Sequence, residues 1–263
     1  MIVAGCDVGS LTSKAVIMKD SKILASNVVM SGTRPEKSAL EVMEMALSNT
    51  GLSMGEVNYC VGTGYGRNRI TFINETASEI ACHARGARWL LPSVKTIVDI
   101  GGQDCKVIKV DSGGRVVKFT ANDKCASGTG RFLEVMARVL GIALDDLGVL
   151  SLKAKAPVLM ASACTVWAQA DVIQHINDGI PLEDIAAGIN SAMAARVAVL
   201  VNNIGLERDV CMTGGVAKNR GVVSALEKLL GVKIRIINKV DPQIVGALGA
   251  ALAAREKIRG VGG

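Results

Sequence analysis

Two aspartates head the same pattern twice. Asp7-Val8-Gly9-Ser10-Leu11-Thr12-Ser13-Lys14-Ala15-Val16 recurs as Asp99-Ile100-Gly101-Gly102-Gln103-Asp104-Cys105-Lys106-Val107-Ile108, with aspartate, apolar residue, glycine, lysine and apolar residue at matching offsets. In each copy an apolar, β-rich run ends at the aspartate, a glycine-bearing loop follows, and a second β-rich run continues past the lysine. Each copy therefore reads as a β-hairpin with a functional tip. Glycine at Gly9, Gly101 and Gly102 lets backbone N–H groups approach an anion, and the Ser10-Leu11-Thr12-Ser13-Lys14 stretch adds three hydroxyls and an ammonium. Such a tip suits phosphate. An aspartate beside phosphate repels it unless a hydrated divalent cation lies between, so Asp7 and Asp99 together imply Mg²⁺. Gln103 and Asp104 follow the second pair of glycines, where a side chain could orient an attacking water or hold a metal-bound one. The plainer reading of Asp104 is a turn-capping residue.

A third tip lies in Val210-Cys211-Met212-Thr213-Gly214-Gly215-Val216-Ala217-Lys218-Asn219: strand, double glycine, then helix. A flat ligand such as adenine can lie on backbone there, with Val216 and Asn219 at its edge. The run Gly246-Ala247-Leu248-Gly249-Ala250-Ala251 would let a helix pack closely under the same floor. Phosphate hairpin, phosphate hairpin and glycine-rich adenosine loop, in that order, resemble the actin, hexokinase and heat-shock chaperone ATPase superfamily. That resemblance implies an α/β protein with a duplicated ribonuclease H-like fold: two lobes with mixed sheets and a cleft between them for ATP or ADP. Residues 1–92 would form the N-terminal lobe and 93–263 the C-terminal lobe, with the last helix a candidate to return to the first.

Two of the seven cysteines stand apart. Cys125 lies in Asn122-Asp123-Lys124-Cys125-Ala126-Ser127-Gly128-Thr129-Gly130-Arg131-Phe132, and Cys164 in Ser162-Ala163-Cys164-Thr165-Val166-Trp167; both are expected at helix N-termini, where exposed N–H groups stabilise anionic ligand sets. A four-thiolate iron–sulfur cluster is such a set, but two cysteines per chain need a twofold axis to reach four. Cys6, Cys60 and Cys211 on strands and Cys82 on a helix read as small buried hydrophobes. Cys105, beside a phosphate tip, stays open.

Together with Thr63-Gly64-Tyr65-Gly66-Arg67, Gly128-Thr129-Gly130-Arg131-Phe132 and Thr213-Gly214-Gly215-Val216, these segments resemble the activator ATPases of 2-hydroxyacyl-CoA dehydratases, a group that includes benzoyl-CoA reductase ATPase subunits. The resemblance runs through nearly the whole chain. It implies a homodimer with one 4Fe–4S cluster at the interface, bound by Cys125 and Cys164 of each subunit. It also implies ATP-driven transfer of a low-potential electron to a larger iron–sulfur dehydratase or reductase, with ferredoxin or flavodoxin as the donor. A small-molecule kinase of the same superfamily, acting on a sugar or N-acetylhexosamine, and a non-redox actin-like nucleotide switch are the rival readings.

The composition is consistent with this. Hydrophobic residues make up 49% of the 263 and aromatics only 3%, so the core must be built from Ala, Val, Ile, Leu and Met. The net charge of +6 is dispersed, without a basic run, aromatic interleaving or a zinc-finger pattern, which argues against nucleic acid. No uninterrupted apolar run reaches the roughly 18 residues of a membrane span and no leader pattern opens the chain, so a cytoplasmic protein is expected.

Helices are expected over 36–50, from a Thr76/Glu79 capping box to 91, over 129–140, 165–177 and 183–204, after Gly215, and over 241–258. Further strands are expected over 59–63, 115–120, 158–161, 209–213 and 234–236. His83 and His175 receive no role. Arg67 and Arg131 stay open between phosphate, a partner's acidic surface and solvent.

Overall fold

A computed structural model describes residues 1–122, 125–161 and 164–261. The chain forms two compact units. The first comprises Met1–Val94, Val110–Val117 and Ile237–Gly263, the second Lys95–Lys109 and Lys118–Ile236.

The first unit is built on strands β1 (Ile2–Val8), β2 (Thr12–Lys19), β3 (Lys22–Met30), β4 (Tyr59–Thr63) and β5 (Glu75–Thr76), in the order β3-β2-β1-β4-β5. β1 runs antiparallel to β2 and parallel to β4. Its strands read as near-continuous apolar runs because helices cover both faces. Ala4, Cys6, Val8, Ala15 and Ile17 point to α1 (Pro35–Ser48) and meet Ala39, Val42, Met43, Ala46 and Leu47. Val3, Val16 and Met18 point the other way, to Cys82 of α2 (Glu79–Leu90) and to Ala247, Leu248, Ala250 and Ala251 of α8 (Val245–Val261). The period-two alternation of a strand therefore puts Gly5, Asp7 and Lys14 on the α8 face.

The second unit repeats the plan with β6 (Thr96–Ile100), β7 (Cys105–Val110), β8 (Val116–Asn122), β9 (Val210–Thr213) and β10 (Ile234–Ile236), in the order β10-β9-β6-β7-β8. β6 is antiparallel to β7 and parallel to β9, as β1 is to β2 and β4. Its helices are α3 (Gly130–Leu140), α4 (Leu144–Ser151), α5 (Thr165–Asn177), α6 (Leu182–Ile204) and α7 (Arg220–Leu230). One core joins Val98, Ile100 and Val107 to Phe132, Leu133 and Met136 of α3 and to Ile185, Ile189, Met193, Val197 and Val201 of α6. α6 is long and apolar enough to cross a membrane, but 67% of that window is buried in this core.

Several local expectations change. α2 starts at Ser78 rather than at a Thr76 capping box, because Thr76 is taken into β5. Residues 158–161 form no strand: the Val158 N–H donates to the Asp184 carbonyl, at the start of α6, instead of to a ladder. The closing helix begins later than position 241, because Asp241 caps a 3₁₀ turn over Pro242–Ile244. α4 has no counterpart among the expected helices; at eight residues it is too short for a clear helical period.

The Gly/Ala run of 246–251 was expected beneath the Gly214–Gly215 loop. It packs instead on β1, β4 and α2 within the first unit. A Cβ on Gly5 would strike the Ala247 carbonyl, one on Gly86 the Val245 carbonyl, and one on Gly249 the Cys82 carbonyl. α8 thus lies against β1 and α2 at backbone contact. Gly249→Ala should lower stability by roughly 1–3 kcal/mol or more through overpacking. Gly260→Ala, in the same helix with nothing within 4 Å of its Cβ position, should raise stability by roughly 0.5–1 kcal/mol through helix propensity. Urea denaturation of both variants checks this, and equal effects would contradict the packing argument.

Candidate functional site

Each unit holds one buried aspartate at the end of its central strand. Asp7 is 2% and Asp99 3% exposed. In the antiparallel register Asp7 lies opposite Lys14 and Asp99 opposite Lys106, so the hairpin itself delivers an ammonium to each carboxylate. Lys14 Nζ is 3.2 Å from Asp7 Oδ2, and Lys106 Nζ is 3.8 Å from Asp99 Oδ2. In the parallel register on the other side, Asp7 lies beside Thr63 and Asp99 beside Thr213. A glycine in the left-handed region follows each threonine, Gly64 at φ +88° and Gly214 at φ +82°. A Cβ on Gly64 would strike Asp7 Oδ1, and one on Gly214 the Ile100 carbonyl. The repeat is therefore a four-part cradle of Asp, Lys, Thr and Gly on three strands. Sequence reasoning found Asp and Lys but did not pair Thr63-Gly64 with Thr213-Gly214, although an apolar strand ending in Thr-Gly is present in both places.

The two cradles differ in one bond. Thr213 Oγ1 donates to Asp99 Oδ1 at 2.7 Å, whereas Thr63 Oγ1 donates to the Ala77 carbonyl at 3.1 Å. Asp7 Oδ1 is left buried with no hydrogen-bond partner among the described residues. An orphaned carboxylate oxygen is costly without a ligand, and a water of a hydrated Mg²⁺ is the donor this chemistry suits. Above Asp7, a Cβ on Gly246 would lie 3.0 Å from Asp7 Oδ2 and 3.0 Å from His83 Nε2. His83, assigned no role from sequence, is thus buried in this site, with Glu79 Oε1 4.0 Å from its Nε2. A single histidine on a helix carries no signal that could have found it.

The tips are closed alike, by Gly9 N–H donating to the Thr12 carbonyl and Gly101 N–H to the Asp104 carbonyl, both at 3.0 Å. Ser13 is buried and its hydroxyl pairs with Ser31 at 2.8 Å, while Ser31 Oγ donates to the Gly9 carbonyl. Ser10 is exposed, and Leu11 and Thr12 are half-buried. On the second tip Gln103 is exposed, and the Asp104 carboxylate is held by Lys106.

The Gly214-Gly215-Val216 loop is fixed from behind. Asn219 Oδ1 accepts from Val222 N–H at 3.0 Å as the cap of α7, and its Nδ2 donates to Asn190 Oδ1 at 3.3 Å. Asn190, 1% exposed, donates in turn to Ser151 Oγ at 2.8 Å. Both ends of the Asn219 amide are therefore engaged in holding the loop.

The cysteines divide sharply. Cys125 and Cys164 are exposed and the other five buried. Burial pushes the Cys60 and Cys211 thiols up to about 12 and Cys82 to about 11, and pushes Cys6 and Cys105 well above the ordinary thiol range. Those five stay protonated and suit no metal. Cys164 caps α5, as expected. Cys125 does not cap α3, whose N-cap is Thr129; it precedes that residue in a turn, with its carbonyl accepting from Asn122 Nδ2 at 3.2 Å. The neighbours Asp123, Lys124, Ser162 and Ala163 lie outside the described residues. The two exposed thiols are the soft donors that could hold a metal or an iron–sulfur cluster.

The Cys125 turn is tied to the second tip. Gly130 N–H donates to the Gly101 carbonyl and Arg131 N–H to the Gly102 carbonyl, both at 2.8 Å, and a Cβ on Gly130 would press on Gly101 O at 3.0 Å. The Arg131 guanidinium pairs with Glu134 at 2.9 Å.

The model of the BadF/BadG/BcrA/BcrD ATPase family matches residues 4–254. The (R)-2-hydroxyglutaryl-CoA dehydratase activating ATPase of Acidaminococcus fermentans is 46% identical over 257 residues, covering 96% of each chain. The structure of the activator of the 2-hydroxyisocaproyl-CoA dehydratase from Clostridium difficile with bound ADPNP superposes with a TM-score of 0.96 at 42% identity, covering 100% of this chain and 97% of that one. A ROK family glucokinase from Streptomyces griseus, 13% identical with a TM-score of 0.58 over 97% of this chain and 100% of its own, shares the fold alone. The duplicated ribonuclease H-like architecture of the actin-like ATPases is thereby established, and the chain belongs to the BadF/BadG/BcrA/BcrD ATPase family.

Proposed function

We propose that this protein is an ATP-dependent reductive activator that delivers single low-potential electrons to a larger iron–sulfur dehydratase or reductase acting on an acyl-CoA. The observation that carries the reading is the pair of bonds from Gly130 and Arg131 to the Gly101 and Gly102 carbonyls. They join the start of α3, which follows the turn bearing an exposed cysteine, to the tip that would take phosphate, which is what a protein coupling nucleotide to redox chemistry needs. The names of its relatives support the partner class, and the bound ADPNP of one structural neighbour supports nucleotide binding.

Asp7 and Asp99 would hold a hydrated Mg²⁺, with Lys14 and Lys106 offsetting their charge. The Gly9–Lys14 and Gly101–Gly102 tips would take phosphate oxygens, and the Gly214–Val216 loop the adenosine. Gly246, over Asp7, keeps room for the metal's waters because it has no side chain. With the Asp104 carboxylate held by Lys106, Gln103 is the better placed of the two to orient the attacking water. Cys125 and Cys164 of two subunits would hold one 4Fe–4S cluster, whose chemistry when bound is to accept and pass a single electron. Binding of ATP biases one arrangement of the tip, and the Gly101–Gly130 and Gly102–Arg131 bonds carry that bias to Cys125. Ferredoxin or flavodoxin would supply the electrons. A kinase needs a hydroxyl substrate and none of this cysteine chemistry.

Asp7→Asn and Asp99→Asn should each lower phosphate release by at least about a hundredfold, as expected when transition-state charge loses its metal clamp. A malachite-green assay measures this, and unchanged turnover in either variant would refute that residue's assignment. Cys125→Ala and Cys164→Ala should lose iron and sulfide after anaerobic purification, whereas Cys60→Ala and Cys211→Ala should keep both. In the iron-free protein a thiol reagent should find two fast cysteines per chain and five that react only on unfolding. A reduced preparation mixed with its dehydratase or reductase should be oxidised faster with ATP than with ADP or no nucleotide. Equal rates in all three, or phosphorylation of an added sugar, would overturn the reading.

A further inference from the structure

The segment after β4 carries a cation whose surroundings leave it unneutralised. Gly64 begins the segment against Asp7 Oδ1, in a backbone conformation and a space that admit no Cβ. Gly66 N–H donates to the Val8 carbonyl at 2.8 Å, one residue beyond Asp7, and a Cβ on Gly66 would collide with the Val8 side chain at 2.6 Å. The chain from 64 to 66 is thereby pinned onto the rim of the first cradle. Arg67 follows at once. Its N–H closes the turn on the Gly64 carbonyl at 3.4 Å, and its guanidinium folds back so that Nη1 donates to the same carbonyl at 3.1 Å. The side chain is half-buried.

No carboxylate lies within ion-pair distance of Arg67 among the described residues. Arg69, Arg85, Arg115 and Arg131 each have a carboxylate partner, Glu36 at 3.6 Å, Glu256 at 3.2 Å, Asp111 at 2.9 Å and Glu134 at 2.9 Å; what sets Arg67 apart from the arginines without one is its anchor on the Gly64 carbonyl at the rim of the Asp7 cradle. A guanidinium has five N–H donors in a rigid fork, and one bond to a backbone carbonyl leaves most of them for an anion. An arginine held in place but left without a counter-charge beside a buried aspartate is the arrangement expected where an anion arrives with its own cation.

We infer that Arg67 is a catalytic residue that contacts the terminal phosphate of ATP, stabilising the charge that develops as that phosphate is transferred to water. The inference rests on the nucleotide reading of the Asp7 cradle. In phosphoryl transfer a divalent cation, which Asp7 and Asp99 would hold here, would supply charge neutralisation, and an arginine from the same chain can neutralise the charge on the transferred group. The orphaned Asp7 Oδ1 would mark the metal side of the cradle, and a Cβ on Gly64, the carbonyl anchor of Arg67, would strike that same oxygen. Arg67 therefore stands at the metal-bound end of the nucleotide rather than at its base or its inner phosphate. The step is hydrolysis: water forms the new P–O bond, the bond from the terminal phosphorus to the bridging oxygen breaks, ADP leaves with the bond's electron pair, and the attacking water's proton passes to the released phosphate or to solvent. Arg67 donates hydrogen bonds and transfers no proton.

The test uses the intact, cluster-containing protein without its electron-accepting partner. Arg67→Gln, Arg67→Lys and the neighbouring Arg69→Gln are compared for steady-state ATP hydrolysis, and for binding of ADP and of ADPNP by calorimetry. Arg67→Gln should lose about a hundredfold or more in kcat and bind ADPNP about tenfold more weakly, while ADP affinity stays within about twofold. Arg67→Lys should recover only part of kcat, because a point charge does not reproduce the fork. Arg69→Gln should behave as wild type. Retained ADP binding also shows that the Arg67 variants are folded. Hydrolysis by Arg67→Gln at the wild-type rate, or equal losses of ADP and ADPNP affinity, would overturn the assignment while leaving the nucleotide reading intact. So would normal intrinsic hydrolysis combined with a defect seen only with the partner present, since that outcome makes Arg67 a docking residue. Wild-type protein that binds neither nucleotide would overturn the assignment and the reading beneath it together.

Discussion

The structure turns on a carboxylate facing an ammonium across a two-stranded ladder at the buried end of a sheet. In each unit the hairpin register makes the pairing automatic, Asp7 with Lys14 and Asp99 with Lys106. Both aspartates are almost fully buried, and a buried charge without a partner would be expelled or neutralised. The lysine makes an anionic group tolerable at the point where the chain turns through a glycine loop. A one-residue slip in register would move the lysine to the opposite face of the sheet and break the site. The apolar alternation on both faces, toward α1 on one side and α2 with α8 on the other, is what forbids that slip in the first unit.

Close backbone approach is the second constraint. α8 can cover the Asp7 face only because Gly5, Gly86 and Gly249 carry no side chains where it meets β1 and α2. The same economy leaves Gly246 above Asp7, where any larger residue would fill the space beside the carboxylate. A chain with 3% aromatics builds its core from small and branched aliphatic side chains, and this composition is what a helix packed at backbone distance needs. The hydrophobic stretch of α6 is explained by the second core, which buries one broad face of the helix and leaves Ser191, Arg196, Asn202 and Asn203 exposed on the other.

Duplication did not preserve symmetry of chemistry. Thr213 satisfies Asp99, while Thr63 turns to Ala77 and leaves Asp7 with an oxygen to fill. The second tip instead gained links to α3, which draw its glycine carbonyls into the turn that bears Cys125. One cradle is thus distinguished by a buried carboxylate oxygen without a hydrogen-bond partner among the described residues, and the other by its bonds to the helix that follows an exposed thiol. The cysteines follow a related division. Five are held protonated in apolar surroundings, and Cys125 and Cys164 are left at the surface.

The sequence by itself determined the repeat, the order of its three glycine loops and the strands and helices that carry them. Those features are local: the aspartate-to-lysine spacing sets a hairpin register, a glycine after a helix ends it, and helical periodicity marks α5 and α6 without any knowledge of distant residues. It also separated Cys125 and Cys164 from the other thiols by the motifs around them. Only the tertiary structure decided what lies next to what. His83 enters the Asp7 site, Thr63-Gly64 becomes the counterpart of Thr213-Gly214, and α8 joins the first unit because contacts between elements far apart in sequence bring them together. Asn219, read as a nucleotide contact, spends its amide on Val222 and Asn190, which no spacing rule reveals. Residues 158–161 have strand-like composition but no neighbouring edge to pair with, and a strand exists only when another strand accepts its hydrogen bonds.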